Sequence, residues 1–185
     1  MNRRMLVLDL TVAQNIKDTP REVKGWWFGA RTVWQSPTVG NLFGDVIADM
    51  LAKVPYVTVY SRTDLRYYFG HKGDLLKRKY PDLQKAQIET LIEQVSPEDY
   101  GRDLAVDKVV SGRILRCYTS ANRTIHWWHS LVEVEIEVRD TETGLVEWKH
   151  TYFQKKNLRS QKYVMEMITR QLVKDLRREY FLEYD

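Results

Sequence analysis

Apolar residues recur along the chain with two different periods, which predict a succession of strands and helices. The run from Met5 to Val12 is apolar at most positions and predicts a first strand that is buried on both faces. From Asn41, the expected N-cap, to Lys53, apolar residues fall at helical spacing, and Pro55 ends the helix. The β-branched and aromatic segment 56–60 predicts the next strand.

The strictest alternation lies in the second half of the chain. Val132, Val134, Ile136 and Val138 alternate with Glu133, Glu135, Glu137 and Arg139. This period of two predicts a strand with one buried face and one wet face in an antiparallel pairing. With its neighbours it predicts a three-stranded meander over 108–154, whose second turn ends at Gly144. A long helix is expected from Ser160 to about Tyr180.

These elements predict an α/β (α+β) fold: a mixed sheet of about five strands, an antiparallel C-terminal meander, and helices packed on the sheet. The 185 residues suit one domain spanning 1–185. Two segments stand apart from this pattern. Residues 13–39 predict a long aromatic loop, which by its length is either functional or partly structured, and residues from about 71 to 98 predict a helical insertion rich in charge.

Composition narrows the class of protein. Hydrophobic residues make up 43% of the chain, which is enough for a core, and no stretch approaches the roughly 20 apolar residues of a membrane-spanning helix. The formal net charge of +4 is mildly basic. Cys117 is the only cysteine, so neither an internal disulfide nor a cysteine-based zinc site is expected, and its strand context predicts a buried thiol.

Motifs of catalysis are missing from the sequence. It contains no glycine-rich phosphate loop, no nucleophile elbow and no HExxH pattern. His126 and His129 lie three apart in a predicted strand, so their imidazoles face opposite sides and do not converge on a metal. We therefore expect no enzyme activity, no catalytic residue, no metal site and no cofactor.

Tryptophan is the most informative residue type for function, because tryptophan side chains are enriched at the centres of protein interfaces. Adjacent tryptophans in a strand face opposite sides, so one of each pair is expected to meet solvent or a partner. In the alternative interpretation, the 13–39 loop folds back and buries most of these rings. The candidate partner-binding tryptophans are Trp26, Trp27 and Trp34 in the loop and Trp127 and Trp128 near the 119–130 hairpin.

Arg62 is a further candidate for partner binding. It follows a predicted strand at its carboxyl end, where α/β folds often place ligands. The alternative is structural: Arg62 forms an ion pair, and Asp64 caps the helix that follows.

Four segments carry a resemblance to a known family. They are 44–51 (GDVIADML), 57–65 (VTVYSRTDL), 100–114 (YGRDLAVDKVVSGRI) and 138–148 (VRDTETGLVEW). In content and order they resemble the domain shared by the curli-secretion lipoprotein CsgG, the penicillin-binding-protein activator LpoB and the amino-terminal domain of TolB. The likeness spans nearly the whole chain, and its motifs are structural rather than chemical.

The resemblance implies a bacterial envelope protein that supports assembly, secretion or cell-wall regulation by binding an envelope protein partner, with homo-oligomerisation as a further option. It implies a periplasmic location with outer-membrane anchoring if an export signal was trimmed, and otherwise the chain is expected to be cytoplasmic. The family's lipid-bearing cysteine is not found near the start, so membrane attachment is expected only through a lipid anchor that this chain lacks. Segment 71–98 is too charged to form membrane-crossing hairpins, so a soluble interaction module is favoured over a pore.

A nucleic-acid-binding α/β domain is the alternative function. The short basic runs 77–79 and 155–156, together with the aromatic residues, suit it. The three glutamates of the alternating strand disfavour it, because a sheet face lined with carboxylates repels phosphate.

Overall fold

The structure is a computed structural model that describes residues 3–13, 21–25, 29–36, 38–122 and 124–181. The strands are β1 (Arg3–Val7), β2 (Thr11–Val12), β3 (Arg21–Gly25), β4 (Gly29–Trp34), β5 (Val57–Val59), β6 (Lys108–Asn122), β7 (Trp127–Asp140) and β8 (Val146–Asn157). The helices are α1 (Val39–Leu51), α2 (Arg62–Lys79), α3 (Lys85–Glu93), α4 (Pro97–Asp103) and α5 (Gln161–Leu176), which continues into a π-helical turn (Arg177–Phe181).

Strand β6 organises the sheet because different parts of its length pair with different strands. Its first half pairs in parallel with β1 and β2, and β1 pairs in turn with β5. Its second half pairs with β4 of the antiparallel β3–β4 hairpin. Along its other edge it pairs with β7, and β7 pairs with β8, both antiparallel. The predicted mixed sheet with a C-terminal antiparallel meander is confirmed.

Within the described residues, the sheet has eight strands rather than about five. The difference comes mainly from segment 13–39, whose prediction as a loop is wrong over β3 and β4. These strands are polar and lack a clear apolar alternation, so the sequence pattern does not reveal them. They form a sheet because the second half of β6 extends beyond β1 and β2 and offers free backbone hydrogen-bonding groups there.

The single strand predicted over Met5–Val12 is divided into β1 and the exposed β2, and its buried part, Met5 to Leu8, is covered on both faces. Met5 and Val7 face a core that is covered by α1 and α5, whereas Leu6 and Leu8 face a smaller core with residues of α2 and α4. Helices therefore cover both faces of the parallel part of the sheet. None of the helices in the described residues is long and apolar enough to cross a membrane.

Helix starts differ from expectation at two places. Helix α1 begins at Val39 with Thr38 as its N-cap, so the prediction of Asn41 as the cap is wrong. The start lies against the backbone of Leu10, and only glycine fits at position 40, since a Cβ there would collide with the Leu10 carbonyl oxygen. The first helix of the predicted insertion begins at Arg62, well before residue 71.

Polar caps fix the helices around the sheet. Ser61, and not Asp64 as the structural alternative held, caps α2: its Oγ accepts a hydrogen bond from the Asp64 N–H at 3.4 Å. Ser160 likewise caps α5 by accepting from the Tyr163 N–H at 3.2 Å, which confirms the predicted start of the last helix. Gly144, with a φ of 72°, ends the turn between β7 and β8, where the predicted hairpin is found.

Candidate functional site

The structure brings together two of the candidate tryptophans that lie far apart in the sequence. Trp34 at the end of β4 pairs with Thr119 of β6, and Trp128 of β7 pairs with Ala121 of β6. Thr119 and Ala121 point to the same face of the sheet because they are two residues apart. Trp34 and Trp128 therefore lie on one face, at the end of the sheet where α5 begins.

Between these two rings lies an open depression of about 550 Å³, which we call the tryptophan groove. Its lining includes Trp34, Leu42, Thr119, Trp128, Gln161 and Lys162. Apolar surface dominates, and a few polar groups lie at the α5 end. This combination is typical of sites that take an apolar group and orient it with a small number of hydrogen bonds.

Gln161 holds the floor of the groove. Its side chain is only 8% exposed, and its amide nitrogen donates to the Trp34 carbonyl at 3.1 Å and to the Thr119 hydroxyl at 3.0 Å. Its amide oxygen accepts from the Ser36 N–H at 3.3 Å. One side chain in the first turn of α5 thus ties β4, β6 and the segment before α1 together.

A second set of buried contacts continues from this floor. The hydroxyls of Thr119 and Ser130 lie 2.8 Å apart, and the Ser130 hydroxyl donates to the Arg159 carbonyl at 2.6 Å. The Cys117 thiol lies 3.4 Å from the Gln161 amide oxygen. Burial raises the pKa of this thiol to about 12, and the predicted burial of Cys117 is confirmed.

Two exposed apolar residues are neighbours through the main chain: Trp128, which lines the groove, and Leu158, which lies outside its lining. The Leu158 N–H donates to the Trp128 carbonyl at 2.9 Å, and the two residues are 52% and 40% exposed. Leu158 has a φ of 55°, a left-handed conformation that costs a residue with a Cβ roughly 1–2 kcal/mol. A strained backbone that presents an apolar side chain to solvent is a feature found at binding sites.

Trp127 has different surroundings from its neighbour. It points to the opposite face of the sheet, where its ring lies 5.1 Å from that of His129, which itself contacts Tyr118. Trp127 is half-buried there, whereas Trp128 is exposed. The prediction that one ring of the pair meets solvent or a partner fits this geometry.

His126 and His129 do not converge. His126 lies exposed in the turn before β7, and His129 is buried in the strand. Across the part of the chain that the structure describes, no three His, Cys, Asp or Glu side chains are placed to hold a metal ion.

Arg62 occupies a buried ion cluster. Its side chain is 11% exposed and donates to Asp45 at 2.8 Å, to the Val7 carbonyl at 2.7 Å and to Asp9. Burial alone lowers the pKa of the guanidinium, but the hydrogen bonds that it donates to Asp9 and Asp45 outweigh burial and raise that pKa overall. The group joins β1, α1 and α2, so the geometry favours the structural interpretation over partner binding.

The three glutamates of β7 are neither fully exposed nor unpaired. Each is half-buried and forms an ion pair with a neighbouring cation. The pairs are Glu133 with Arg116, Glu135 with Lys149 at 2.9 Å, and Glu137 with Arg139 at 2.8 Å. The expectation of an exposed carboxylate-lined face is therefore wrong, and its argument against nucleic acid is weaker than the sequence indicates.

The site includes residues that the sequence analysis did not single out, chiefly Gln161, Leu158 and Lys162. A leucine set within the polar run from Lys155 to Lys162 is the only sequence signal for them. Trp26 and Trp27 lie outside the described residues, so their partner-binding role stays a prediction.

Comparison with known proteins shows a shared fold at low sequence identity. No family model and no curated protein matches the chain. Among solved structures, the lipoprotein GNA1162 from Neisseria meningitidis matches with a TM-score of 0.54 and 13% identity, over 96% of this chain and 99% of that one. The PelC dodecamer from Paraburkholderia phytofirmans matches with a TM-score of 0.52 and 11% identity, over 93% and 86%.

The LpoB C-terminal domain from Salmonella enterica matches less well, with a TM-score of 0.40 and 9% identity over 83% of this chain and 82% of that one. At that score the likeness does not establish a common fold. The coarser expectation, a fold found in bacterial envelope lipoproteins, is supported by GNA1162. The finer resemblance to CsgG and TolB stays a prediction.

Proposed function

We propose that the chain is a non-enzymatic protein-interaction module of a bacterial envelope lipoprotein, and that the tryptophan groove is its partner-binding site. The observation that carries the proposal is a pair of exposed apolar residues, Trp128 in the lining of the groove and Leu158 outside it. Trp128 and Leu158 are joined by a main-chain hydrogen bond, both are exposed, and Leu158 is held in a strained conformation. A partner that buries both side chains gains apolar burial without first ordering the site.

The rigidity of the floor supports binding rather than simple packing. Gln161 fixes the main chain of Trp34 through a hydrogen bond, so this wall of the groove is set before a partner arrives. Tryptophan walls and a concave apolar surface are common at the energetic centres of interfaces.

The envelope location is supported by the fold shared with the lipoprotein GNA1162, and the roles in assembly, secretion or cell-wall regulation come from the resemblance alone. PelC, which has this fold, is a dodecamer, so self-association of this chain is part of the proposal. Attachment to the membrane through a lipid anchor is part of the proposal.

Affinity capture from a bacterial envelope extract tests the binding role. The bait is the full chain, and the variants are Trp128→Ser and, as a matched control on the opposite face, Trp127→Ser. We expect the wild type and the Trp127 variant to retain the same envelope protein and the Trp128 variant to lose it. Equal retention by all three would show that the groove is not the site, and recovery of nucleic acid in place of protein would favour the alternative function.

A further inference from the structure

A row of side chains crosses four strands on the face that carries the tryptophan groove. The sheet register places Trp34 opposite Thr119, Thr119 opposite Ser130, and Ser130 opposite Lys156. Residues directly opposite one another in antiparallel strands share a face. Lys156 therefore lies on the face of the groove, about 14 Å from Trp34 across three strand spacings.

Two more cations lie at the same end of the sheet. Arg159 is in the connection that leads from β8 to α5, and its guanidinium lies 4.8 Å from the centre of the Tyr163 ring. Lys162 lines the groove from the first turn of α5. The amino-terminal end of this helix adds its own partial positive charge.

Acidic residues are sparse in this part of the sequence. Between Glu147 and Glu166 the sequence contains five Lys or Arg residues and no Asp or Glu. Among the described residues, Lys156, Arg159 and Lys162 form no salt bridge, whereas Lys149 on the other face of the sheet is paired with Glu135. The groove thus has apolar walls and Lys162 in its lining, and Lys156 and Arg159 lie outside that lining at the same end of the sheet.

We propose, on the basis of the proposed function, that the occupant of the groove is an acidic segment of a partner protein. One apolar side chain of this segment enters between Trp34 and Trp128, and carboxylates beside it contact Lys156, Arg159 and Lys162. Complementary charge around an apolar anchor sets specificity and speeds association.

The shape of the site favours a peptide segment over other polyanions. A volume of about 550 Å³ suits one or two side chains. A flat anionic membrane cannot enter it, and single-stranded nucleic acid binds through a longer basic track with several stacked rings.

The test is selection of random 12-residue peptides displayed on phage against the full chain, followed by fluorescence anisotropy with the selected peptides. We expect enriched peptides to carry an apolar residue flanked by Asp or Glu. Replacing those acids by Asn and Gln in the peptide is expected to weaken binding by about tenfold and to remove its salt dependence.

Charge reversal on the protein provides the second arm. The double variant Lys156→Glu, Lys162→Glu is expected to bind the acidic peptides about tenfold more weakly. The matched control is Lys155→Glu, Lys53→Glu, which reverses two exposed lysines away from the groove and is expected to change binding by less than about twofold.

The outcomes separate this inference from the function on which it rests. Enriched peptides without acidic residues whose binding is lost in Trp128→Ser would overturn the acidic partner and leave the groove as a binding site. Binding of phosphatidylglycerol vesicles or of a 20-residue oligothymidylate, lost in that variant, with no peptide enriched, would also overturn it. Peptide binding that is unchanged in Trp128→Ser, or no binding of any probe, would overturn both.

Discussion

Replacing Gln161 by Met removes the polar floor of the tryptophan groove while nearly keeping the volume of the side chain. Two main-chain groups lose their partner on Gln161: the Trp34 carbonyl at 3.1 Å and the Ser36 N–H at 3.3 Å. The Thr119 hydroxyl keeps its contact with Ser130. The change therefore isolates the link between α5 and the end of β4.

The expected cost follows from the groups left unpaired. A buried polar group without a partner costs about 1–3 kcal/mol, and water entering the open groove offsets part of this, so we expect a loss of about 2–4 kcal/mol. For a chain of this length, that loss lowers the midpoint of thermal unfolding by about 5–12 °C. The matched control is Gln171→Met on the same helix, where the exposed amide contacts Asp175 at 2.9 Å and less than about 1 kcal/mol is expected.

Thermal and urea unfolding followed by circular dichroism measure the loss, and amide hydrogen exchange locates it. Exchange is expected to accelerate at Ser36 and in the start of α1, and to stay unchanged in the centre of β7. If Gln161→Met and Gln171→Met have the same stability, or if Ser36 keeps its protection, the floor is not held by the Gln161 side chain and the reasoning is refuted.

Three further predictions follow from individual contacts. Arg62→Met is expected to lower the free energy of unfolding in urea by about 2–3 kcal/mol, because it breaks a buried ion cluster whose acidic partners are partly exposed. Partner capture is expected to stay intact. Lost capture at unchanged stability would contradict the structural role of Arg62. Leu158→Asn relieves about 1–2 kcal/mol of backbone strain, because asparagine tolerates the left-handed conformation better than leucine. It also loses a similar free energy from the burial of the leucine side chain. Its stability is expected to stay within about 1 kcal/mol of wild type while partner capture falls, and unchanged capture would contradict its role. Hydrogen bonds from Lys108 and from Thr143 hold the pKa of Asp140 below its value in the unfolded chain. The ionised Asp140 carboxylate therefore stabilises the folded state above about pH 4, and this stabilisation is lost as the pH falls. Melting temperatures that do not fall between pH 5 and pH 2 would contradict this prediction.

The parts of the fold that sequence reasoning predicted are those with a strong local pattern. The alternation of Val132, Val134, Ile136 and Val138 predicts β7 and its buried face, since a period of two has one structural interpretation. The apolar stripe after Ser160 likewise predicts α5, because cap and period agree.

The parts that it missed depend on distant partners. Strands β3 and β4 have weak patterns of their own and form because β6 is long enough to pair with them. Helix α2 continues through Gly70, an exposed position where the glycine costs about 1 kcal/mol, because the Ser61 cap and the basic last turn stabilise its two ends.

The sequence likewise predicts only part of the candidate site. Tryptophan content alone indicated Trp34 and Trp128 as partner-binding candidates. That these two share a groove, whereas Trp127 faces away, depends on the register of three strands. The strain at Leu158 and the contacts of Gln161 are tertiary features without a local sequence signature.

The most direct test of the tryptophan groove as a partner-binding site is photo-crosslinking in living bacteria. A photoreactive phenylalanine analogue replaces Trp128 in one variant and Trp127 in the other, so that adjacent positions probe opposite faces of the sheet. We expect a discrete crosslink to an envelope protein from position 128 and none to that protein from position 127. The same crosslink from both positions, or from position 127 alone, would contradict it.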